Sequence, residues 1–389
     1  MSGMEQNAMI YLDNGATSYP KPPAVAEQMY HYVRDVGATI NRSVYASAQS
    51  AGMVTYSLRE RLARFFHFSP PNHVVLTAGN TMSLNLVIKG YLHSGDHCLV
   101  SSVEHNAVMR PLVQLQQQGV SFDRIPCNGE GLIDPADIPA MIRPNTKLVV
   151  VAHGSNVGGG VQDIEAIGAI CAARGIHFVV DAAQTAGHYP IDFQRANLSA
   201  LTVPGHKGLM GPSGIGAVLL REDFARELTP LIAGGTGSAS DSEVQPDYMP
   251  DRFESGTSNL PGIYGLEAAM AFLEETGIET LRAHDQALTA RFMAGLRDIP
   301  QVRLVGPADL AHRVGVISVD FMEKDNAECS YLLETEYNIM TRCGMHCAPS
   351  AHKTLGTFPQ GVVRFSLGWY NTEADVDAAL AAIRTLAQA

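Results

Sequence analysis

Three things are scarce in this sequence: cysteine, positive charge and long apolar runs. The six cysteines (Cys98, Cys127, Cys171, Cys329, Cys343 and Cys347) are spread thinly over 389 residues. That spacing argues against a disulfide scaffold and for a reducing compartment. Lys and Arg number 27 against 39 Asp and Glu, a formal net charge of −12. An acidic balance of this kind argues against nucleic acid or an anionic membrane as partner. No stretch reaches the roughly 18 consecutive apolar residues of a membrane span. Residues 1–10 lack a basic start and an apolar stretch, so no signal peptide is expected. The expectation is a soluble cytoplasmic protein.

What is present is a large apolar fraction, 46%, enough to bury a sizeable core. Between residues 73 and 220, apolar β-type runs alternate with amphipathic segments. The expected strands are His73–Ala78, His97–Ser102, Ser121–Cys127, Lys147–His153, His177–Asp181, Leu201–Val203 and Ile215–Leu220. Helices are expected at Thr81–Leu92, Ala107–Gln118 and Asp163–Arg174. Continuous Val/Leu/Ile runs suit strands buried on both faces, and intervening helices imply a mainly parallel sheet. After residue 262 the texture changes to two long helical patterns (Ile263–Glu275, Ile278–Leu296), weaker strands (Val302–Val305, Val314–Asp320, Val362–Leu367) and a closing helix, Glu373–Ala387. The expected fold is therefore α/β. A large domain (15–262) holds a mainly parallel seven-stranded sheet, and a smaller α+β domain is built from 1–14 and 263–389. The stretch Gly234–Gly262 is rich in Gly, Ser, Pro and Asp, and a loop this long is usually functional or at an interface.

Ligands of parallel α/β sheets sit at the carboxyl ends of strands, and four polar signals fall there. Thr77-Ala-Gly-Asn80-Thr81 opens a helix, whose free N–H groups suit a phosphate, although an ordinary N-cap reads the same way. Ser102-Val-Glu-His105 puts a histidine at a strand end. Asp181 closes the run Phe178-Val-Val and needs a partner, because an unpaired buried carboxylate is costly. Of six lysines, Lys207 alone lies between a buried strand and a Gly-rich turn. There, loss of water would lower the amine's pKa for imine chemistry, whereas a solvated turn lysine is the plain alternative.

Taken together, Tyr11-Leu-Asp-Asn-Gly-Ala-Thr, Glu104-His105, Ser155-Asn156-Val157, Asp181-Ala-Ala-Gln184 and Gly205-His206-Lys207 resemble the class V aminotransferase family. Within it the sequence looks most like cysteine desulfurases and selenocysteine lyases, from about residue 10 to 385. The resemblance implies a fold-type-I homodimer using pyridoxal 5'-phosphate. Lys207 would hold the cofactor as a Schiff base, Asp181 would pair with the pyridinium nitrogen, His105 would stack on the ring and move protons, and Gln184 would contact the ring hydroxyl. Asn80, Thr81 and His206 would complete the cofactor site, with Thr257 reaching across from the partner subunit. Gly15, Asn156 and Arg364 would bind the substrate, the last two through its carboxylate.

The loop Arg342-Cys343-Gly-Met-His346-Cys347-Ala-Pro-Ser-Ala-His352 separates the subclasses. Cys347 matches the family's sulfur-accepting cysteine, which implies conversion of L-cysteine to L-alanine with a persulfide left on Cys347. L-selenocysteine is the other substrate implied, and a sulfur- or selenium-acceptor protein would clear the product. Three other readings stay open: a class V aminotransferase or another lyase in which Cys347 only packs, a non-catalytic cofactor-bound scaffold, and a zinc cluster, for which this lone cluster is a poor pattern. No metal is expected. Pro204 departs from the family pattern, since it offers neither hydroxyl nor N–H where relatives have Ser or Thr. Asn80 departs from it as well.

Overall fold

Runs such as Leu148–Val151 and Phe178–Val180 are too short for buried helices and apolar on consecutive positions, the signature of a strand covered on both faces. In the computed structural model, which describes residues 9–41 and 43–388, they form the centre of the large sheet. The described chain enters through β1 (Ile10–Tyr11). The large sheet follows with β2 (Val74–Thr77), β3 (His97–Ser101), β4 (Ser121–Ile125), β5 (Thr146–Ala152), β6 (His177–Asp181), β7 (Ala200–Pro204) and β8 (Gly216–Leu220). Their spatial order is β2-β8-β7-β6-β5-β3-β4. Neighbours are parallel from β7 through to β4, whereas β8 runs antiparallel to both β7 and β2.

The two-residue period of a strand sends alternate side chains to opposite faces. Val149, Val151, Phe178, Val180, Leu201 and Val203 enter one core, and Leu148, Val150, Val179, Ala200 and Val218 enter the other. Helices Asn80–Tyr91 and Asn106–Gln116 follow β2 and β3, and Ile164–Ala172 leads into β6. The carboxyl ends of β2, β3, β5, β6 and β7 therefore point to one edge of the sheet.

A second, antiparallel sheet has the order β12-β13-β10-β9, from β9 (Arg303–Val305), β10 (Val316–Asp320), β12 (Arg342–Gly344) and β13 (Val362–Ser366). It packs with helices Ile278–Arg297, Asn326–Tyr337 and Glu373–Gln388 around a separate core. β1 pairs in parallel with β11 (Ile339–Met340), and Asp13 bridges to Ser366, so the first described residues join this second unit. Residues 1–8 of the expected segment 1–14 lie outside the described residues. The expected boundary at residue 262 falls inside the helix Leu260–Thr276, whose Ile263, Leu266, Met270 and Leu273 belong to the core under the large sheet. The stretch Arg342–His352, expected as a loop, contains β12 and the start of the helix Pro349–Thr354. Pairing of Arg342–Gly344 with β13 makes the strand, and Pro349, with its preset φ, opens the helix.

Candidate active site

A cavity of about 480 Å³ opens where the parallel strands end, within the usual range for small-ligand sites. Asn80, Thr81, His105, Asn156, Asp181, Gln184, His206 and Lys207 all line it, as does Pro204. Each reaches it for a local reason. Asp181 is the last residue of β6, and Lys207 lies three residues past β7, on the turn that leads to β8. His105 caps the helix Asn106–Gln116, its Nδ1 accepting from Ala107 N at 2.9 Å. A neutral ring therefore carries its proton on Nε2. Burial holds the His105 pKa below the ordinary imidazole value, with Asp181 opposing and Lys207 adding to the shift.

Among the described residues Lys207 has no hydrogen-bonded carboxylate, and burial lowers its amine to about 8. Asp181 acts against that shift, while Arg364 and Arg342 reinforce it. Asp181 is 4% exposed, and its Oδ1 accepts from Asn80 Nδ2 at 2.7 Å and Ala183 N at 2.9 Å. The Asn80 amide is thus turned to the acid, and its buried Oδ1 has no partner among the described residues. The helix Asn80–Tyr91 begins after Gly79, at φ 140°, with no side-chain cap. His206 beside it has a buried Nδ1 without a partner among the described residues. Burial and the neighbouring Lys207 and Lys21 push its ring to about 4.

Arg364, on β13 and 1% exposed, sits where the N-terminal segment crosses between the two sheets. It donates to Asp13 Oδ1 at 2.7 Å and to the Asn156 carbonyl at 3.2 Å, and its buried Nε has no partner among the described residues. Gly15 lies against it. A Cβ there would come within 3.2 Å of Arg364 Cζ and 3.1 Å of Ser366 Oγ, so any other residue would make those side chains shift by a few tenths of an ångström. Gln184 donates to the Gly15 carbonyl at 3.0 Å, tying that strap to the cavity wall.

Cys347 does not line the cavity itself. It is exposed on a turn where His346 and Cys347 both have positive φ, 44° and 58°. Two hydrogen bonds fasten that turn: the cavity-lining Asn156 donates from Nδ2 to the His346 carbonyl at 2.7 Å, and Asn106 N, next to His105, donates to the Cys347 carbonyl at 2.8 Å. Arg342 Nη2 lies 3.9 Å from Cys347 Sγ. Cys343, half-buried on β12, has its thiol pKa raised by burial. Among the described residues, no three His, Cys, Asp or Glu side chains are grouped to hold a metal ion.

Thr257 is not brought to the cavity. It lines a neighbouring space of about 240 Å³, along with Leu231, Ile232 and Phe253. Its loop is fixed by Glu254, which pairs with Arg59 at 2.7 Å and accepts from Leu76 N at 2.6 Å. Sequence reasoning passed over Asp13, Arg342 and Lys21. The first two stood inside stretches already singled out, but only pairing of β12 with β13 and the crossing of the N-terminal strap show what they face.

The profile of the family Aminotransferase class-V matches residues 10–379. A probable cysteine desulfurase of Pyrococcus abyssi is 33% identical over 97% of this chain and 94% of its own. A cysteine desulfurase of Yersinia pseudotuberculosis is 32% identical, covering 97% and 93%. Among solved structures, an apo cysteine desulfurase from Thermococcus onnurineus NA1 superposes with a TM-score of 0.91 at 33% identity, covering 98% of this chain and 95% of that one. An Escherichia coli cysteine desulfurase in an S-sulfonic acid form superposes at 0.87 with 30% identity, covering 98% and 95%.

Proposed function

The chain belongs to the aminotransferase class-V family, and from that premise we propose that it is a pyridoxal-phosphate-dependent cysteine desulfurase, converting L-cysteine to L-alanine with the sulfur held on Cys347. The observation that carries this reading is the Cys347 turn. The turn that carries this exposed thiol is held through its backbone carbonyls by Asn106 and by Asn156, and Asn156 lines the cavity that contains Lys207 and Asp181.

The cavity fits the cofactor. An uncapped helix start and the unpartnered His206 Nδ1 suit its phosphate, with Thr81 beside them. A buried carboxylate at Asp181 suits its ring nitrogen, and a desolvated amine at Lys207 suits its aldehyde. When bound, pyridoxal phosphate supplies an electron sink that acidifies the substrate Cα–H and weakens the Cβ–S bond. The chain's own groups do the rest. The Lys207 amine, with a pKa of about 8, is part neutral near physiological pH and can take the Cα proton. His105 offers an Nε2–H on the same cavity. Arg364, oriented by Asp13, presents its remaining N–H donors to the substrate carboxylate, with Asn156 and Gly15 alongside. The Cys347 thiolate attacks the substrate sulfur: an S–S bond forms, the Cβ–S bond breaks, and its electron pair stays on the carbon, which takes up a proton to become the alanine methyl.

The proposal includes a homodimer in which Thr257 completes the partner subunit's cofactor site. In support, large apolar side chains stand exposed at Val44, Tyr45, Met53 and Tyr56, and again at Ile232, Val244 and Tyr248. A sulfur-acceptor protein would then clear Cys347. The test is turnover of L-cysteine and L-selenocysteine, wild type against Cys347→Ala, following sulfide, selenide and alanine. Alanine with sulfide that disappears in Cys347→Ala is expected. Undiminished sulfide in the variant would refute the persulfide step, and a 2-oxo acid without sulfide would mean transamination instead. A protein that binds no pyridoxal phosphate and is unlabelled at Lys207 after borohydride reduction would end the reading.

A further inference from the structure

Lys21 is a half-buried cation with no carboxylate partner among the described residues. Burial lowers its amine to about 8. Its ammonium is surrounded by three neutral oxygens: the Ser18 carbonyl at 3.1 Å, Ser18 Oγ at 3.1 Å and the His206 carbonyl at 3.2 Å. The His206 carbonyl also accepts from Ser18 N at 3.0 Å, Thr17 Oγ1 at 3.0 Å and Ser18 Oγ at 3.2 Å. Four donors from residues 17–21 thus converge on one oxygen, more than its two lone pairs hold at once. Folding alone does not call for the fourth, and desolvating an ammonium without a counter-ion is unfavourable.

That carbonyl belongs to the peptide between His206 and Lys207. A peptide unit is planar, so fixing its oxygen fixes the Lys207 nitrogen and Cα as well. The far side of the residue is held too, because the Lys207 carbonyl accepts from Met210 N at 2.8 Å, and Gly211 N closes back on Gly205 at 2.7 Å. The ammonium is the one charged donor of the four, and it also ties that oxygen to Ser18 through its other two bonds. We propose that Lys21 is a positioning residue for Lys207: with Thr17 and Ser18 it clamps the His206–Lys207 peptide, so that the Lys207 amine leaves and returns from a fixed backbone point. The proposal rests on the reading of Lys207 as the group that takes the Cα proton.

The test compares the cofactor-loaded wild type with Lys21→Met, Lys21→Arg and Thr17→Val. Loss of a well-held base geometry is expected to lower kcat in Lys21→Met by roughly 10- to 100-fold with KM unchanged. The isotope effect with Cα-deuterated L-cysteine should rise, since proton removal becomes the slow step. Lys21→Arg should restore most of the rate, and Thr17→Val, which removes one neutral donor, should move the same quantities less. Unchanged kcat and isotope effect, or a loss confined to KM or cofactor content, would overturn the proposal. Should Lys21→Met not fold, Lys21→Arg and Thr17→Val decide it by the same criteria. Amide hydrogen exchange over 203–211 separates this proposal from the assigned reaction. Faster exchange in Lys21→Met supports the clamp even if L-cysteine is not turned over, and exchange identical to wild type refutes it.

Discussion

Adding pyridoxal phosphate to the cofactor-free protein across a pH series should report the Lys207 amine directly, because only a neutral amine attacks an aldehyde. With the amine at about 8 rather than the ordinary 10.4, roughly one-tenth of it is neutral at pH 7 instead of about one part in 2500. The site should therefore load roughly 200-fold faster at pH 7 than an ordinary lysine would, if nothing else differs. The sign follows from the charge type: raising pH frees the amine, so the rate climbs about tenfold per pH unit and levels off above about 8. Burial is the largest cause of the shift, so no single charge removal should abolish it. Asp181 opposes the shift, so Asp181→Asn should move the inflection lower. Arg342 reinforces it, so Arg342→Gln should move the inflection higher. The assay is rapid mixing followed by visible absorbance, with borohydride trapping and peptide mapping to assign the bond to Lys207. A rate that keeps climbing to pH 10 in the wild type, or variants that shift in the opposite directions, would refute this account of the site.

Two further predictions concern stability. Glu104 is fully buried. Its Oε1 accepts from Ser101 Oγ at 2.5 Å and Ala152 N at 2.8 Å, its Oε2 has no partner among the described residues, and burial pushes the carboxyl up to about 8. A raised folded value means that stability is lost as pH rises from the ordinary carboxylate value toward about 8. Glu104→Gln does not titrate, so its advantage over wild type should widen over that window to at most ~5 kcal/mol in urea unfolding, at about 1.4 kcal/mol per unit; a gap constant from pH 5 to 9 would contradict the buried neutral acid. Arg59→Met should destabilise the apoprotein by ~3–5 kcal/mol, because it strands Glu254 in the wall beside β2; unfolding midpoints equal to wild type would show that the pair carries no such load.

The strands of the large sheet were legible because their signal is local. Continuous apolar runs such as Val149–Val151 need only the two-residue period and burial on both faces, and the observed bounds differ from the expected ones by a residue or two. The helix Ala46–Phe65 left a fainter trace. Its buried stripe includes Ala48, Ala51 and Thr55, and Met53 and Tyr56 stand on its exposed side, so apolar and polar faces do not separate cleanly. β11 and β12 are too short to carry a period at all. They exist because β1 and β13 offer them backbone partners.

For Lys207, the sequence by itself determined the setting: a strand end, a Gly-rich turn and a residue type that burial can make basic. The same holds for Asp181, His105 and the helix start at Asn80, since each follows directly from the strand that precedes it. Which groups meet those residues was decided only by the tertiary structure. Arg364 reaches Asp13, Lys21 reaches the His206 carbonyl, and Asn156 holds the Cys347 turn, across 351, 185 and 190 residues of chain respectively. Contacts over such separations depend on how two sheets and one N-terminal strap are placed, and no local period encodes that placement.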